Sequence, residues 1–475
     1  MREEIAEMAI VYDSRKVKPG DTFVALPGLK YDGADFIPQA VANGANTIVA
    51  EREVEVPPGV KFELVPSARK ALAYLSAKYY DFPSRKLKLI GVTGTNGKTT
   101  ITYLIQAILQ TAGYKAEVIG TINSPLTTPE SADLQAQLAE MVSHKVTHCV
   151  MEVSSHALAQ DRVYACEFAI AIFTNLTHDH LDYHKTMDEY LAAKRKLFEM
   201  LPENGVAIVN VDDPASRSII EVVKGEVITY GLRQAPHELR STKYNEFDTK
   251  VSNLDLRANE MVLKINSTEI YTPLIGIHNA YNIIAAYQCG LVLNIPPAVI
   301  KRGIESVKVI PGRQESIDCG QPFRVVVDFA HSPDSLQKLI ETYRPFTKGR
   351  VILVFGCPGE RDRLKRPIMG EIAERLADFI IVTTDDPHAE DPEQIMEDIL
   401  SGGTRKEKPV VRILDRREAI EKALSLAEAG DTVLIAGRGH EKFQDFAGKK
   451  VPLDDREVVK EFFTRCAPLS GKMAR

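Results

Sequence analysis

The chain has 475 residues, with 59 Lys and Arg against 65 Asp and Glu and a formal net charge of −6, and no basic tract that could neutralise a nucleic-acid backbone. Nucleic acid is therefore not an expected partner, and a hydrophobic content of 44% over this length supports about three domains, each with a core. Six scattered cysteines without C-x-x-C pairing, a charged start (MREEIAEM) unlike a signal peptide, and no bilayer-length apolar run point to a cytoplasmic enzyme with reduced thiols and no membrane insertion.

Residues 1–85 alternate short apolar strands with a helical pattern, as in DTFVALPG at 21–28 and IPQAVANGANTIVAE at 37–51. This predicts a small α/β domain, closed by the Pro- and Ser-interrupted linker DFPSRK at 81–86. Its polar clusters, Asp13-Ser14-Arg15 and Tyr31 to Asp35, could meet a ligand, and ordinary turn chemistry accounts for them equally well.

Residues 86–310 open with LKLIGVTGTNGKTTITYLIQAILQTAG, an apolar strand, a glycine-rich turn and a helix whose Ile101, Leu104, Ile105, Ile108 and Leu109 repeat at helical spacing until Gly113. Gly94 and Gly97 let backbone N–H groups approach an anion at the positive end of the helix, Lys98 is placed for outer phosphates, and Thr99 for Mg²⁺. Val92 stands where the strict Walker pattern has glycine, so this is a shorter variant. A βαβ rhythm follows, with apolar runs at 116–121, 146–153, 168–173 and 205–210, and predicts a mostly parallel sheet with ligands at the strands' carboxyl ends. Polar clusters sit at those ends: Thr127-Thr128-Pro129, Glu152 to His156 with Gln160 and Arg162, and Thr174 to His184. Glu152 ends a buried strand and needs a cation, for which Mg²⁺ is the natural choice. His178, His180 and His184 lack zinc spacing and suit a Mg²⁺ or Mn²⁺ phosphate site better. Lys194, in AAKRKLF at 192–198, reads by composition as part of a solvated basic face. From about Val227 to Pro273 the alternation predicts an antiparallel insertion.

Residues 311–475 follow the hinge-like Pro311-Gly312-Arg313 and alternate strands at 324–331, 351–356, 379–386 and 431–441 with helices, which predicts a Rossmann-like domain. Its IAGRGHE run does not complete a G-x-G-x-x-G fingerprint. The expected fold is thus α/β in three domains, a central P-loop sheet flanked by a small N-terminal α/β domain and a C-terminal Rossmann-like one.

TGTNGKTT at 93–100, MEVSSHAL at 151–158, FTNLTHDHLDYHKTMDEYLAAKRKLF at 173–198, HNAYNIIAA at 278–286, PGRQE at 311–315 and DFAHSPDSL at 328–336 resemble the Mur ligases of cell-wall precursor synthesis. EVSSHALAQDRV, FGCPGERDRLKRP, DDPHAEDP and GRGHE look like the MurE branch, which adds a diamino acid to UDP-N-acetylmuramoyl-L-alanyl-D-glutamate. The resemblance spans nearly the whole chain and implies an ATP-dependent amide ligase working as a monomer. It implies that Gly94, Thr95, Asn96, Gly97, Lys98, Thr99 and Thr100 cradle ATP and that Asn282, Arg313 and Asp328 contact its nucleoside, with His331 close by. Thr99, Glu152, His180 and a carbamoylated Lys194 would support Mg²⁺. Ser14 would meet the uridine end, and Thr127, Thr128, Ser154, Gln160 and Arg162 the muramoyl-peptide. Arg361, Asp386, His388, Gly437 and Glu441 would form the pocket for the incoming amino acid. The implied chemistry is phosphorylation of a carboxylate by ATP, then attack of a neutral amine on the acyl phosphate.

Three departures stand out. The family's diaminopimelate-adding members typically carry D-N-P-R where this chain has Asp385-Asp386-Pro387-His388, and a histidine cannot reproduce a bidentate guanidinium. With Glu390 and Asp391 this makes an acidic loop, favouring a substrate that ends in an ammonium, such as L-lysine, while Arg361 and Asp386 also suit meso-diaminopimelate; both remain open. Pro358-Gly359-Glu360 replaces G-G-D, and the start is about one strand shorter than usual. Related pseudomurein, folylpolyglutamate and cyanophycin-type ligases share the P-loop and lysine motif and differ in acceptor. A guanine-nucleotide switch lacks support, since N-K-x-D is missing.

Overall fold

The computed structural model describes residues 8–28, 31–232, 251–402 and 408–466; the charged start at 1–7 and part of the expected insertion, 233–250, lie outside the described residues. Strands β1 (Ile10–Val11), β2 (Thr22–Val24), β3 (Thr47–Ala50) and β4 (Lys61–Leu64) form a parallel sheet in that order. Side chains alternate across it: Phe23 and Ile48 pack with Ile37 and Ala40 of the helix Ile37–Ala42, while Val24 and Val49 pack with Leu72 of the helix Ala68–Tyr79. The second helix lies on the helix Ser131–Ser143, and Tyr12 Oη donates to Asp133 Oδ2 at 2.5 Å across the same junction.

The next six strands are β5 (Lys88–Thr93), β6 (Ala116–Ile119), β7 (His148–Glu152), β8 (Ile170–Phe173), β9 (Val206–Asn210) and β10 (Glu226–Tyr230). They pair in parallel in the order β10-β9-β8-β5-β7-β6. Their near-continuous apolar runs reflect burial on both faces. The chain passes from β7 on one side of β5 to β8 on the other, so the crevice for a ligand opens at the carboxyl end of β5, where the glycine-rich turn begins.

The antiparallel reading of 227–273 holds only in its later part. Val227–Tyr230 belongs to β10, in register with β9; its alternation arises at a sheet edge, where Ile228 and Tyr230 are buried in the core on one face and Val227 is only half-buried on the other. The antiparallel sheet is β11 (Val251–Leu256), β12 (Met261–Ile265) and β13 (Thr268–Thr272), packed on the helix Pro297–Ser306.

A third α/β layer follows: β14 (Glu315–Ser316), β15 (Arg324–Asp328), β16 (Val351–Phe355), β17 (Phe379–Thr383), β18 (Val410–Ile413) and β19 (Thr432–Ala436). The order is β14-β15-β19-β16-β17-β18, parallel except for β14, and a hairpin of β20 (Phe443–Phe446) and β21 (Lys449–Pro452) follows it.

Lys194 departs from its expected setting. It lies in the helix Met187–Glu199 and is only 1% exposed. Tyr190, Ala193, Lys194 and Leu197 recur at i, i+3, i+4 and i+7 and form the buried stripe, so the lysine is carried inside by its apolar neighbours. Among the described residues no helix is long and apolar enough to cross a membrane.

Candidate active site

The glycine-rich turn is shaped by close approach. Gly94 has φ +149°, and a Cβ there would lie 1.8 Å from Thr174 Oγ1; Gly97 has φ +89°, and a Cβ there would lie 2.4 Å from Asn282 Oδ1. Backbone bonds brace the loop: Asn96 N donates to Asn175 Oδ1 at 3.0 Å, and Thr174 Oγ1 donates to Asn96 O at 2.7 Å. The helix Lys98–Thr111 begins at once, directing its free N–H groups into the crevice. Lys98 Nζ donates to Gly94 O at 2.9 Å and Thr95 O at 2.8 Å, which holds the ammonium across the mouth of the loop. Burial lowers its proton affinity, and nearby Glu152 opposes that shift.

Glu152 ends β7 and is 1% exposed. Its carboxylate accepts from Thr99 Oγ1 at 3.0 Å, Thr121 N at 2.9 Å and Thr121 Oγ1 at 3.2 Å, while Arg313 donates to Thr99 Oγ1 at 2.9 Å. Thr127 Oγ1 lies 3.1 Å from Thr121 Oγ1, and Thr128 Oγ1 donates to Glu152 O at 2.8 Å. Ser154 N donates to Thr128 Oγ1 at 3.0 Å; Arg162 donates to Thr128 O at 2.9 Å and to Gln160 Oε1 at 2.6 Å. One hydroxyl-rich wall thus runs from the phosphate loop to Arg162.

His180 faces this wall from the loop after β8. Its φ of 58° is left-handed, a strained setting for a non-glycine residue that fixes its ring edge-on to His156 at 4.8 Å between centroids. Burial pushes its proton affinity well down, so the ring is a neutral donor set for a metal. Asp179 beside it is buried, yet Lys365 at 3.7 Å and the His180 backbone N–H, which donates to Asp179 Oδ1 at 2.9 Å, help hold it ionised. Lys194 Nζ lies 4.2 Å from the centre of the Tyr190 ring and forms no ion pair with the described residues. Burial, reinforced by Lys98, drives this amine toward its neutral form.

The third layer closes the other side. The Arg313 guanidinium stacks 4.4 Å from the Phe329 ring centre, and Asp328 accepts from Gln314 N at 2.6 Å. Asn282 Nδ2 donates to Asn279 Oδ1 at 3.0 Å. His331 Nδ1 lies 2.7 Å from Phe329 O, with burial lowering its pKa to about 4. Arg361 lines the cleft, exposed and without an ion pair among the described residues.

The loop carrying Asp386 and His388 corrects the electrostatic expectation made for it. Asp386 is bonded to Arg438, which is 0% exposed, and accepts from Asp445 N at 2.9 Å. Glu390 pairs with Arg366 at 2.9 Å and Arg363 at 3.2 Å, and Asp391 caps the helix Pro392–Leu400 by accepting from Glu393 N at 3.0 Å. Asp386 and Glu390 are thus neutralised by guanidinium partners, and Asp391, though exposed, is committed to its helix cap, so the loop's acidity does not by itself select an ammonium. His388, at φ 49°, donates its N–H to Asp445 O at 3.0 Å, and its ring lies 3.8 Å from Asp445. Glu441 stands 3.5 Å from Arg438, yet burial and the neighbouring Asp385 and Asp386 push its pKa up to about 8.

Lys98, Glu152, His180, Asn282, Arg313, Asp328, His331, Thr127, Ser154, Arg162, Arg361, Asp386, His388, Gly437 and Glu441 line one cleft of about 1040 Å³, together with Thr95 to Thr100 of the loop. Thr128 and Gln160 stand immediately behind it, Gly94 forms the loop's base, and Lys194 packs beneath. Ser14 is elsewhere, buried in the N-terminal sheet layer with Oγ donating to Gln39 Oε1 at 2.6 Å. Sequence reasoning missed Thr121, Lys365 and Arg438 as members of the site; each lies in a run already singled out, and only the pairing of distant loops reveals its direction. Among the described residues no three His, Cys, Asp or Glu side chains converge as a metal site. Thr99 Oγ1 against Glu152 supplies hard oxygen donors at the phosphate loop, which fit Mg²⁺.

A P-loop sheet facing a Rossmann-like layer across a shared cleft is the architecture of a nucleotide-dependent α/β enzyme. Three family profiles match in sequence: the Mur ligase family, catalytic domain, at residues 8–87; the Mur ligase middle domain at 92–290; and the Mur ligase, glutamate ligase domain, at 312–439. The UDP-N-acetylmuramoyl-L-alanyl-D-glutamate--2,6-diaminopimelate ligase of Syntrophomonas wolfei is 43% identical over 464 residues, covering 95% of this chain and 94% of that protein. A solved structure of a ligase of that same name is 32% identical with a TM-score of 0.66, covering 96% of this chain and 95% of that one. MurF ligase from Thermotoga maritima, solved in complex with ADP, shares the fold at 20% identity and a TM-score of 0.66 over 97% of each chain. The chain belongs to the Mur ligase family.

Proposed function

We propose that this enzyme is an ATP-dependent amide ligase that joins meso-diaminopimelate to UDP-N-acetylmuramoyl-L-alanyl-D-glutamate in peptidoglycan precursor synthesis, as a cytoplasmic monomer. The reading rests on one observation: the phosphate loop, the Thr99–Glu152 pair, His180 and the Arg361–Glu441 pocket open into the same cleft. Its relatives' names favour diaminopimelate over lysine, and Arg361, without an ion pair among the described residues, offers a fork for the extra carboxylate.

In this reading Thr99, Glu152, His180 and a carbamate on Lys194 would hold Mg²⁺, which when bound would supply positive charge to the phosphates. The P-loop N–H groups and Lys98 orient the terminal phosphoryl toward the peptide's carboxylate, held along the wall of Thr127, Thr128, Ser154 and Arg162. The acyl phosphate formed is attacked by the amine of the diamino acid; the tetrahedral adduct expels phosphate and leaves an amide. Glu441 and Gly437 orient the amino-acid end, and the third layer shields the acyl phosphate from water.

An assay with ATP, the UDP-muramoyl-dipeptide and a panel of amino acids tests this. Phosphate release that requires the UDP-linked acceptor and is fastest with meso-diaminopimelate is expected; release with folate or pseudomurein-type acceptors, or none at all, would overturn the reading.

A further inference from the structure

Two contacts fasten the start of the helix Lys365–Leu376 to the loop after β8. His178 Nε2 lies 2.9 Å from Asp362 Oδ2, and Lys365 Nζ lies 3.7 Å from Asp179 Oδ1. Asp362 also accepts from Leu364 N at 2.9 Å, which sets this segment as a defined turn. The Lys365 side chain is 3% exposed and lines the cleft, and among the described residues its one ion-pair partner is Asp179, beyond hydrogen-bond distance.

Arg366 beside it makes the contrast. Its guanidinium is met by Glu390 at 2.9 Å, Asp398 at 2.8 Å and Pro358 O at 3.2 Å. Among the described residues Lys365 has no such acceptor, although a cation at the first position of a helix works against the helix dipole and its burial adds a desolvation cost. Such a residue is unfavourable for folding unless an anion enters the cleft to meet it. Asp179 does not fill that need alone, because the Oδ1 facing Lys365 already accepts from His180 N at 2.9 Å while Lys365 stays at 3.7 Å.

We propose that Lys365 is a phosphoryl-binding cation of the ligation site, carried by the third layer onto the terminal phosphate of ATP and aimed by Asp179; this rests on the ligase reading above. As the bond from the γ-phosphorus to the β–γ bridging oxygen breaks, its electron pair leaves with ADP, and a lone pair of the peptide's carboxylate oxygen forms the new bond to phosphorus. Charge stays spread over the three peripheral oxygens. Lys365 donates a hydrogen bond to one of them and transfers no proton.

The test compares Lys365→Met and Lys365→Arg in the full chain. Lys365→Met should lower kcat by about 10²–10³-fold, the usual loss for one oxyanion-stabilising donor, with KM for the diamino acid within about two-fold. Calorimetry should find ADP affinity unchanged and affinity for the β,γ-imido analogue of ATP weakened by about ten-fold, and Lys365→Arg should restore part of both. A wild-type kcat in Lys365→Met, or equal losses of ADP and analogue affinity, would overturn the proposal. The nucleotide measurements need no ligation, so wild-type protein that ligates no amino acid would sink the ligase reading while still deciding the role of Lys365.

Discussion

Lys194 and Tyr190 stand one helical turn apart on the same buried stripe, with the Lys194 amine 4.2 Å from the centre of the Tyr190 ring. An ammonium in this place has a ring face to meet and no carboxylate partner among the described residues, and burial with Lys98 nearby favours the neutral amine. A neutral amine is the form that adds to carbon dioxide, and the resulting carbamate would bring an anion into a region crowded with basic groups. We therefore expect a ¹³C carbamate resonance on adding labelled bicarbonate, lost in Lys194→Ala, and a fall in kcat of about 10²–10³-fold in that variant. Chelation of divalent cations should abolish turnover of the wild type.

Glu441 gives a pH signature. Its folded-state pKa of about 8 lies above the ordinary carboxylate value, so the folded protein holds a proton there that the unfolded chain has released. The stability linked to that proton is present below the unfolded pKa and is lost as pH rises through about 8. Glu441→Gln removes the linkage, so its melting temperature should gain on the wild type between pH 6 and 9. KM for the amino acid should also fall with rising pH in the wild type, as the ionised carboxylate becomes available to an ammonium, and stay flat in the variant.

Arg361 and His388 divide the question of substrate choice. Arg361→Met should cut kcat/KM for meso-diaminopimelate by about 10–10²-fold, the worth of a charge-assisted hydrogen bond, and leave the low rate with L-lysine nearly unchanged. His388→Arg should change the ratio of the two substrates less, because the backbone at 388 is tied to Asp445 and the ring faces that carboxylate. A variant at 388 that switched the preference outright would show that this loop, and not Arg361, reads the distal carboxylate.

Gly94 tests the shape of the phosphate loop. A methyl group at this position would meet Thr174 Oγ1 at 1.8 Å, and Thr174 cannot withdraw without releasing Asn96 O. Gly94→Ala should destabilise the protein by about 1–3 kcal/mol and weaken nucleotide binding, measured by chemical unfolding and calorimetry.

The glycine-rich loop, the parallel central sheet and the carboxylate at the end of β7 were legible because each follows from local chemistry: buried apolar strands, glycines at a tight turn, and a strand-end charge that burial disfavours without partners. The family motifs also pointed to Arg313 and Glu441, which line the same cleft. Lys194 was misread by composition, since three consecutive basic residues look solvated until the helix is rotated and its apolar stripe takes one of them inside. The acidity of the 385–391 loop misled for a related reason, as its countercharges, Arg438 and Arg366, come from other elements.

By itself, then, the order of residues determined which strands and turns form and where a glycine-rich loop and a buried strand-end carboxylate would fall, because these depend on short-range periodicity and backbone freedom. Tertiary structure alone decided which charges meet. Whether Asp386 faces solvent or a buried guanidinium, and whether Lys365 turns to water or to the loop after β8, depends on segments far apart in the chain brought together by packing the second and third layers.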